Sequence, residues 1–167
     1  MIRCMLLIVS AVLLTGCATA FYNSKTAGPM LEQASRLAPS SLRAHSSCQV
    51  AFAPVGAAKA DFAPGACAYT ETTLYLYSWD ATKKAYRPEV QLDFASMQGV
   101  AKAKLALYTQ LHVPVEGGHI VMEPKPVDTV LNFMLKAGVK ELPPAEYVMI
   151  NAPPQPQTIY IPVYVGG

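Results

Sequence analysis

The chain has 167 residues, 13 Lys or Arg against 11 Asp or Glu, a formal net charge of +2, and 52% hydrophobic residues. That length suits one domain with flanking segments. The near-neutral balance without a basic block argues against a nucleic-acid partner, and no GxSxG, Walker A, HExxH or mature-chain SxxK motif marks an enzyme.

Near the amino terminus Arg3 supplies a positive charge, followed by an apolar run from Met5 to Leu14 broken only by Ser10. A helix needs roughly 20 apolar residues to cross a bilayer, so residues 1–16 read as a cleaved signal peptide rather than an anchor. Leu14-Thr15-Gly16-Cys17 resembles the lipobox of bacterial lipoproteins. The small residues fit a narrow protease site, and the cysteine thiolate is the nucleophile that takes lipid. The resemblance implies cleavage before Cys17, a diacylglyceryl thioether on Cys17, an acylated (palmitate-type) amine, and the membrane as a partner. Several acyl chains hold a protein almost permanently, at about 0.8 kcal/mol per buried methylene. Ala18, where an Asp retains enteric-type lipoproteins in the inner membrane, implies the outer membrane and its periplasmic face.

Four cysteines sort by position. Cys4 leaves with the signal peptide and Cys17 takes lipid. Cys48 and Cys67 remain as an even pair in a compartment where disulfides persist. A bridge between them is expected, worth about 3 kcal/mol by loop-closure entropy. Two free thiols are the alternative. A metal pair is disfavoured, since no CxxC or Cys/His cluster accompanies them.

Residues 17–47, rich in Ser and Pro, read as a lipidated tether with a short helix over Met30–Leu37. Residues 48–139 read as an α+β domain. Thr73-Leu74-Tyr75-Leu76-Tyr77 alternates leucines with tyrosines, and Trp79–Lys84 is turn-like. Pro88, Val90, Leu92 and Phe94 alternate with Arg87, Glu89, Gln91 and Asp93, and Pro88 suits a strand start or an edge. Ala101, Ala103, Leu105, Leu107, Leu111, Val113 and Val115 keep odd parity against Lys102, Lys104, Tyr108, Gln110 and His112, with a bend near Thr109. Glu116-Gly117-Gly118 is a turn, and His119–Met122 returns as a strand. Val130, Leu131, Met134 and Leu135 then mark one face of a helix over 128–137. Asp128 is its expected N-cap, Lys136 suits its C-terminal dipole, and Gly138 its stop. Residues 140–167 form a Pro-rich tail ending in a β-prone stretch. Ile159, Tyr160, Ile161, Val163 and Tyr164 either add an edge strand to the domain or pair with an envelope protein by β-augmentation.

This order, antiparallel strands followed by one C-terminal helix, is similar to the pleckstrin-homology/GRAM-like superfold. Thr73–Tyr77 followed by Tyr86–Phe94, Met97 and Val100 carries one part of the resemblance, and His119–Met122 with the helix at 128–137 carries the other. The resemblance implies a strongly bent antiparallel sheet, or half-barrel, with the helix plugging one end. The basic phosphoinositide-binding loop of eukaryotic relatives has no clear counterpart, since Lys83-Lys84 is only a pair. Fold alone does not give function.

Carboxylates lie scattered on polar strand faces and turns, with no evident acid/base pair. His112, His119 and Met122, with Met134 beyond, are of a type that suits copper in the envelope. A regular strand, however, puts His119 and Met122 on opposite faces, which favours exposed histidines and core methionines. Tyr75, Tyr77, Trp79 and Tyr86 either form a stacking surface for a ligand or close the outer side of the sheet. The expectation is a non-catalytic envelope lipoprotein, a binding or adaptor module with no cofactor and no catalytic residue. The alternative is a periplasmic small-ligand or copper carrier using His112, His119 and Met122.

Overall fold

The computed structural model describes residues 22–151. Cys17, the preceding signal segment and the stretch Ile159–Tyr164 lie outside those residues. Among the described residues the fold is α+β: an open seven-stranded antiparallel sheet, two helices, and a small two-stranded parallel clip. In chain order these are α1 (Ala27–Ala34), β1 (Ala44–Pro54), β2 (Lys59–Ala60), β3 (Ala63–Tyr69), β4 (Thr73–Asp80), β5 (Ala85–Asp93), β6 (Ala101–Leu105), β7 (Tyr108–Val115), β8 (Gly118–Lys125), α2 (Val127–Lys136) and β9 (Met149–Ile150), with a 3-10 turn at Phe94–Ser96.

The sheet order is β5-β4-β3-β1-β8-β7-β6. Two three-stranded meanders, β3-β4-β5 and β6-β7-β8, are therefore joined through β1. Strand β1 pairs with β3 on one side and β8 on the other. The helix α2 covers one face through Val130, Leu131 and Met134, which join Leu74, Leu76, Phe94, Leu111, Val113 and Met122 in one core. Phe133 stacks on Tyr69 with ring centroids 3.9 Å apart. A core that draws on both meanders and a single helix fits a bent sheet.

The opposite face carries two covers. Over β3–β5, α1 packs Ala27 and Leu31 against Ala66, Ala68, Tyr75, Tyr77 and Tyr86. Over β1 and β8, Ala60 and Val148 pack on Ala51, Ala53 and Val121. The small residues of β1 and β3 let these covers approach the backbone closely.

Several expectations shift. The short helix begins at Ala27, ends at Ala34, and is part of the core. Residues 44–47, expected in the tether, open the central strand β1. The described fold already begins at Tyr22. The expected tail also begins too early at 140. Val100 N donates to Lys140 O at 2.9 Å, Leu142 N to Val100 O at 2.9 Å, and Ala145 N to Lys102 O at 3.1 Å. Residues 140–145 thus cover the free edge of β6, a position otherwise open to strand addition. The chain then crosses the α1 side and pairs β9 with β2.

The faces of two hairpins also differ. Across β4–β5 the register slips between Leu76 and Tyr77. Val90 and Leu92 pair with Leu76 and Leu74, but Pro88 and Tyr86 join Tyr77 and Trp79 on the α1 side. In the β6–β7 hairpin the turn lies at Ala106–Leu107, not Thr109, and Ala103 pairs with Gln110. An odd-numbered residue opposite an even one inverts the parity, so Ala101 and Ala103 share the face of Gln110 and His112. The turn at Glu116–Gly117 is as expected, with Gly117 at φ +79°. Helix α2 begins after Pro126, so Asp128 lies in its first turn rather than at the cap, while Lys136 closes its last turn. Gly138, at φ +90°, stops it.

Candidate functional site

Where α2 stops, its side of the sheet stays open at the end marked by Pro54, Asp80 and Gly118. A cleft of about 400 Å³ lies there, within the range of small-ligand sites. Its apolar wall comes from Val50, Phe52, Ala63, Leu76, Val90 and Ile120. Alternation dictates this lining. Val50 and Phe52 follow Cys48 at two-residue steps on β1, and Ile120 lies opposite Phe52 on β8. Phe52 is 53% exposed, an unusual state for so large an apolar side chain in the middle of a sheet.

The rim is polar but internally balanced. Arg87 pairs with Glu89 at 2.6 Å, and Ser78 donates its hydroxyl to the same carboxylate. Ser78 first, and Arg87 with it, hold the Glu89 carboxyl below its ordinary range. Asp61 accepts from Asn151 Nδ2 at 2.8 Å. The cleft therefore presents an apolar surface edged by one ion pair and the hydrogen-bonded Asp61 carboxylate, which suits retention of an apolar group.

Cys48 and Cys67 form a disulfide with Cα atoms 5.5 Å apart. They sit diagonally across β1–β3, since Cys48 faces Gly65 and Cys67 faces Ser46. Both are buried in the core on the α2 side, and Cys67 pairs with Leu76 of the cleft wall. The disulfide thus braces the sheet between α2 and the cleft.

The histidines meet, but Met122, which the alternative copper reading would need beside them, lies on the other face. His112 and His119 share the face opposite α2, with ring centroids 6.0 Å apart. Met122 lies on the other face, fully buried in the α2 core with Met134. Alternation along β8 separates it from His119. Among the described residues no three His, Cys, Asp or Glu side chains come together as a metal site.

His112 belongs instead to a buried polar network that sequence reasoning missed. Gln110 is fully buried; its Nε2 donates to Val148 O and Glu123 Oε1, each at 2.8 Å. Its Oε1 accepts from Val148 N at 3.0 Å and contacts His112 Nε2 at 3.2 Å. With the amide oriented so, His112 donates from Nε2. Tyr147 donates to Glu123 at 2.9 Å, and its hydroxyl pKa is pushed up to about 12, by burial first and then by the carboxylate. Burial, then the neighbouring His119, push His112 down to about 4. The network clamps residues 147–148 over the sheet. A polar residue alternating inward on β7 was the only sequence signal for it.

The aromatic group is likewise internal. Tyr75, Tyr77 and Tyr86 are buried under α1, and Trp79 packs edge-on against Tyr86 at 5.0 Å. Tyr77 OH contacts Ser35 Oγ at 2.8 Å, and burial pushes its pKa up to about 12. The three tyrosines close the outer side of the sheet, with Trp79 partly exposed at their edge. No protein-family model matches this chain, and no curated protein matches it either.

Proposed function

We propose that this chain is a lipid-anchored lipoprotein of the bacterial cell envelope, held at the periplasmic face of the outer membrane through Cys17. It acts there as a non-catalytic binding or adaptor module. The observation that carries the binding role is the open apolar cleft walled by Val50, Phe52, Leu76, Val90 and Ile120. The Leu14-Thr15-Gly16-Cys17 motif supports the anchoring, and the Cys48–Cys67 disulfide is in keeping with an oxidising compartment. The strand order β5-β4-β3-β1-β8-β7-β6, followed by α2 over one end, supports a PH/GRAM-like reading of the fold.

The cleft lies at the end of β1 away from its first residue, Ala44. Asn151, the last described residue, bonds the rim at Asp61. The β-prone residues Ile159, Tyr160, Ile161, Val163 and Tyr164 follow it closely in sequence, which fits a partner-binding role for the cleft and that segment together.

Site-specific photo-crosslinking in cells tests the proposal. A photoreactive residue at Phe52 should give a discrete adduct that is lost when residues 152–167 are deleted. The same residue at exposed Glu71, at the other end of the sheet, should give none. Equal labelling at both positions would remove the binding role.

A further inference from the structure

The short link between Cys17 and the folded domain fixes which end of the domain meets the bilayer. We propose that the β6–β7 hairpin tip, Leu105, Leu107 and Tyr108 with Lys104 and Lys125 beside it, is a membrane-contacting surface that inserts into the phospholipid interface. The proposal rests on the lipid-anchored reading above.

Reach is the first argument. Tyr22 is five residues beyond Cys17, and five extended residues span at most about 18 Å. Tyr22 is held in place, its hydroxyl donating to His45 O at 2.9 Å and lying 2.6 Å from His45 Nδ1. The bilayer must therefore lie close to the end of the sheet that holds Ala44, His45 and Lys125. Exposed Phe52 lies seven residues beyond His45 on β1, about 24 Å away at roughly 3.4 Å per residue, and Val55 follows the end of the strand. Those apolar side chains lie at the other end of the sheet from His45.

Position is the second. Leu105 pairs with Tyr108, and Ser47 with Lys125, so the hairpin tip lies at the same end of the sheet as His45. Glu123 and Lys125 line both the groove that holds Tyr22 and the recess walled by Leu107 and Tyr108. Two or three strand spacings of about 4.8 Å separate β1 from this hairpin.

Chemistry is the third. Leu107 is 97% exposed, Tyr108 64% and Leu105 45%. The turn that projects Leu107 holds Ala106 at φ +51°, a conformation that favours Gly or Asn. A two-residue hairpin turn is usually Asn-Gly or a similar polar pair, so Ala-Leu forgoes local stability in order to present an apolar side chain. Leucine enters the acyl boundary, tyrosine suits the headgroup level, and lysines reach the phosphates. Among the other charges at this end, Arg43 pairs with Glu71, Lys102 with Asp128 at 3.3 Å, and Glu123 is hydrogen-bonded to Gln110 and Tyr147. Lys104 and Lys125 have no ion pair among the described residues and complement an anionic lipid surface.

The test uses the lipidated full-length protein in phosphatidylethanolamine/phosphatidylglycerol vesicles, with Leu107→Trp in a Trp79→Phe background. Flotation reads the anchor, and quenching by brominated lipid reads the tip. The introduced indole should shift to the blue and lose about half its emission to bromines near the headgroup, as a side chain buried 5–10 Å into the interface would. The native Trp79, at the opposite end of the sheet, should be unquenched in the wild-type protein. Tyr108→Trp serves as a second probe if the first variant melts early. Protein that floats while the indole at either position stays unquenched would overturn the tip contact and leave the lipid anchor standing. Protein that fails to float would overturn the anchor, and the tip contact with it.

Discussion

Gln110 pairs its side-chain amide with both backbone groups of Val148, as a neighbouring strand would. Truncating it leaves a buried peptide N–H and C=O unpaired, each worth about 1–3 kcal/mol. Gln110→Ala should therefore lower stability in urea by roughly 3 kcal/mol, and amide exchange should quicken at Val148 and Met149 before the rest of the sheet. Uniform acceleration across the sheet would contradict a local clamp. His112 in the same network gives the fold an acid limit. The unfolded chain protonates this imidazole near 6.5 and the native state only near 4. Between those values the unfolded state binds more protons, so stability is full above pH 6.5 and declines as the pH falls towards 4, by about 3 kcal/mol. His112→Gln should flatten that part of the pH–stability curve, and an unchanged slope would rule out His112 as its source.

At the scale of elements, α1 and the disulfide each make a separable contribution. Leu31 is fully buried against Tyr77 and its neighbours, although it falls in a segment whose composition resembles a linker. Leu31→Ala should cost about 2–5 kcal/mol, a core-cavity value. If α1 were an ornament on a tether, the change would be within a few tenths of a kcal/mol of zero. The Cys48–Cys67 bridge joins positions 19 apart on adjacent strands. A Cys48→Ala/Cys67→Ala variant should lose about 3 kcal/mol in chemical denaturation, and dithiothreitol should shift the wild type but not the variant.

For the whole molecule, an anchor at one end of the sheet and a cleft at the other give the domain a direction. Cys17→Ser should release the protein from the membrane fraction, and a mutant that stayed fully bound would refute lipid anchoring. Val90→Arg places a charge on the apolar cleft wall and should abolish adducts at Phe52 while leaving membrane fractionation unchanged, with some loss of stability because Val90 packs partly against the α2 core. Adducts that persist in the folded variant would remove the cleft as the binding surface. Residues 140–151 belong to the domain, so a deletion probing the C-terminal segment should start at 152; one starting at 140 should unfold the β6 edge and the Gln110 clamp.

The sequence alone determined the strongly periodic parts. Leu74 and Leu76 against Tyr75 and Tyr77, the helix ending at Gly138, the turn at Gly117 and the Cys48–Cys67 pairing are all written in local alternation, in glycines that must turn, and in an even cysteine count. Tertiary structure decided the rest. Residues 44–47, the start of the central strand β1, read as Ser-rich linker because they are small and polar, and only pairing with β3 and β8 makes them strand. Which face a residue occupies beyond a turn depends on the register across it: the slip at Leu76–Tyr77 moved Tyr86, and the Ala106–Leu107 turn moved Ala101 and Ala103. The cleft was hidden for a related reason. Val50, Phe52 and Val90 look like ordinary core in a linear pattern, and only the point at which α2 stops leaves them partly exposed over the buried Leu76 and Ile120.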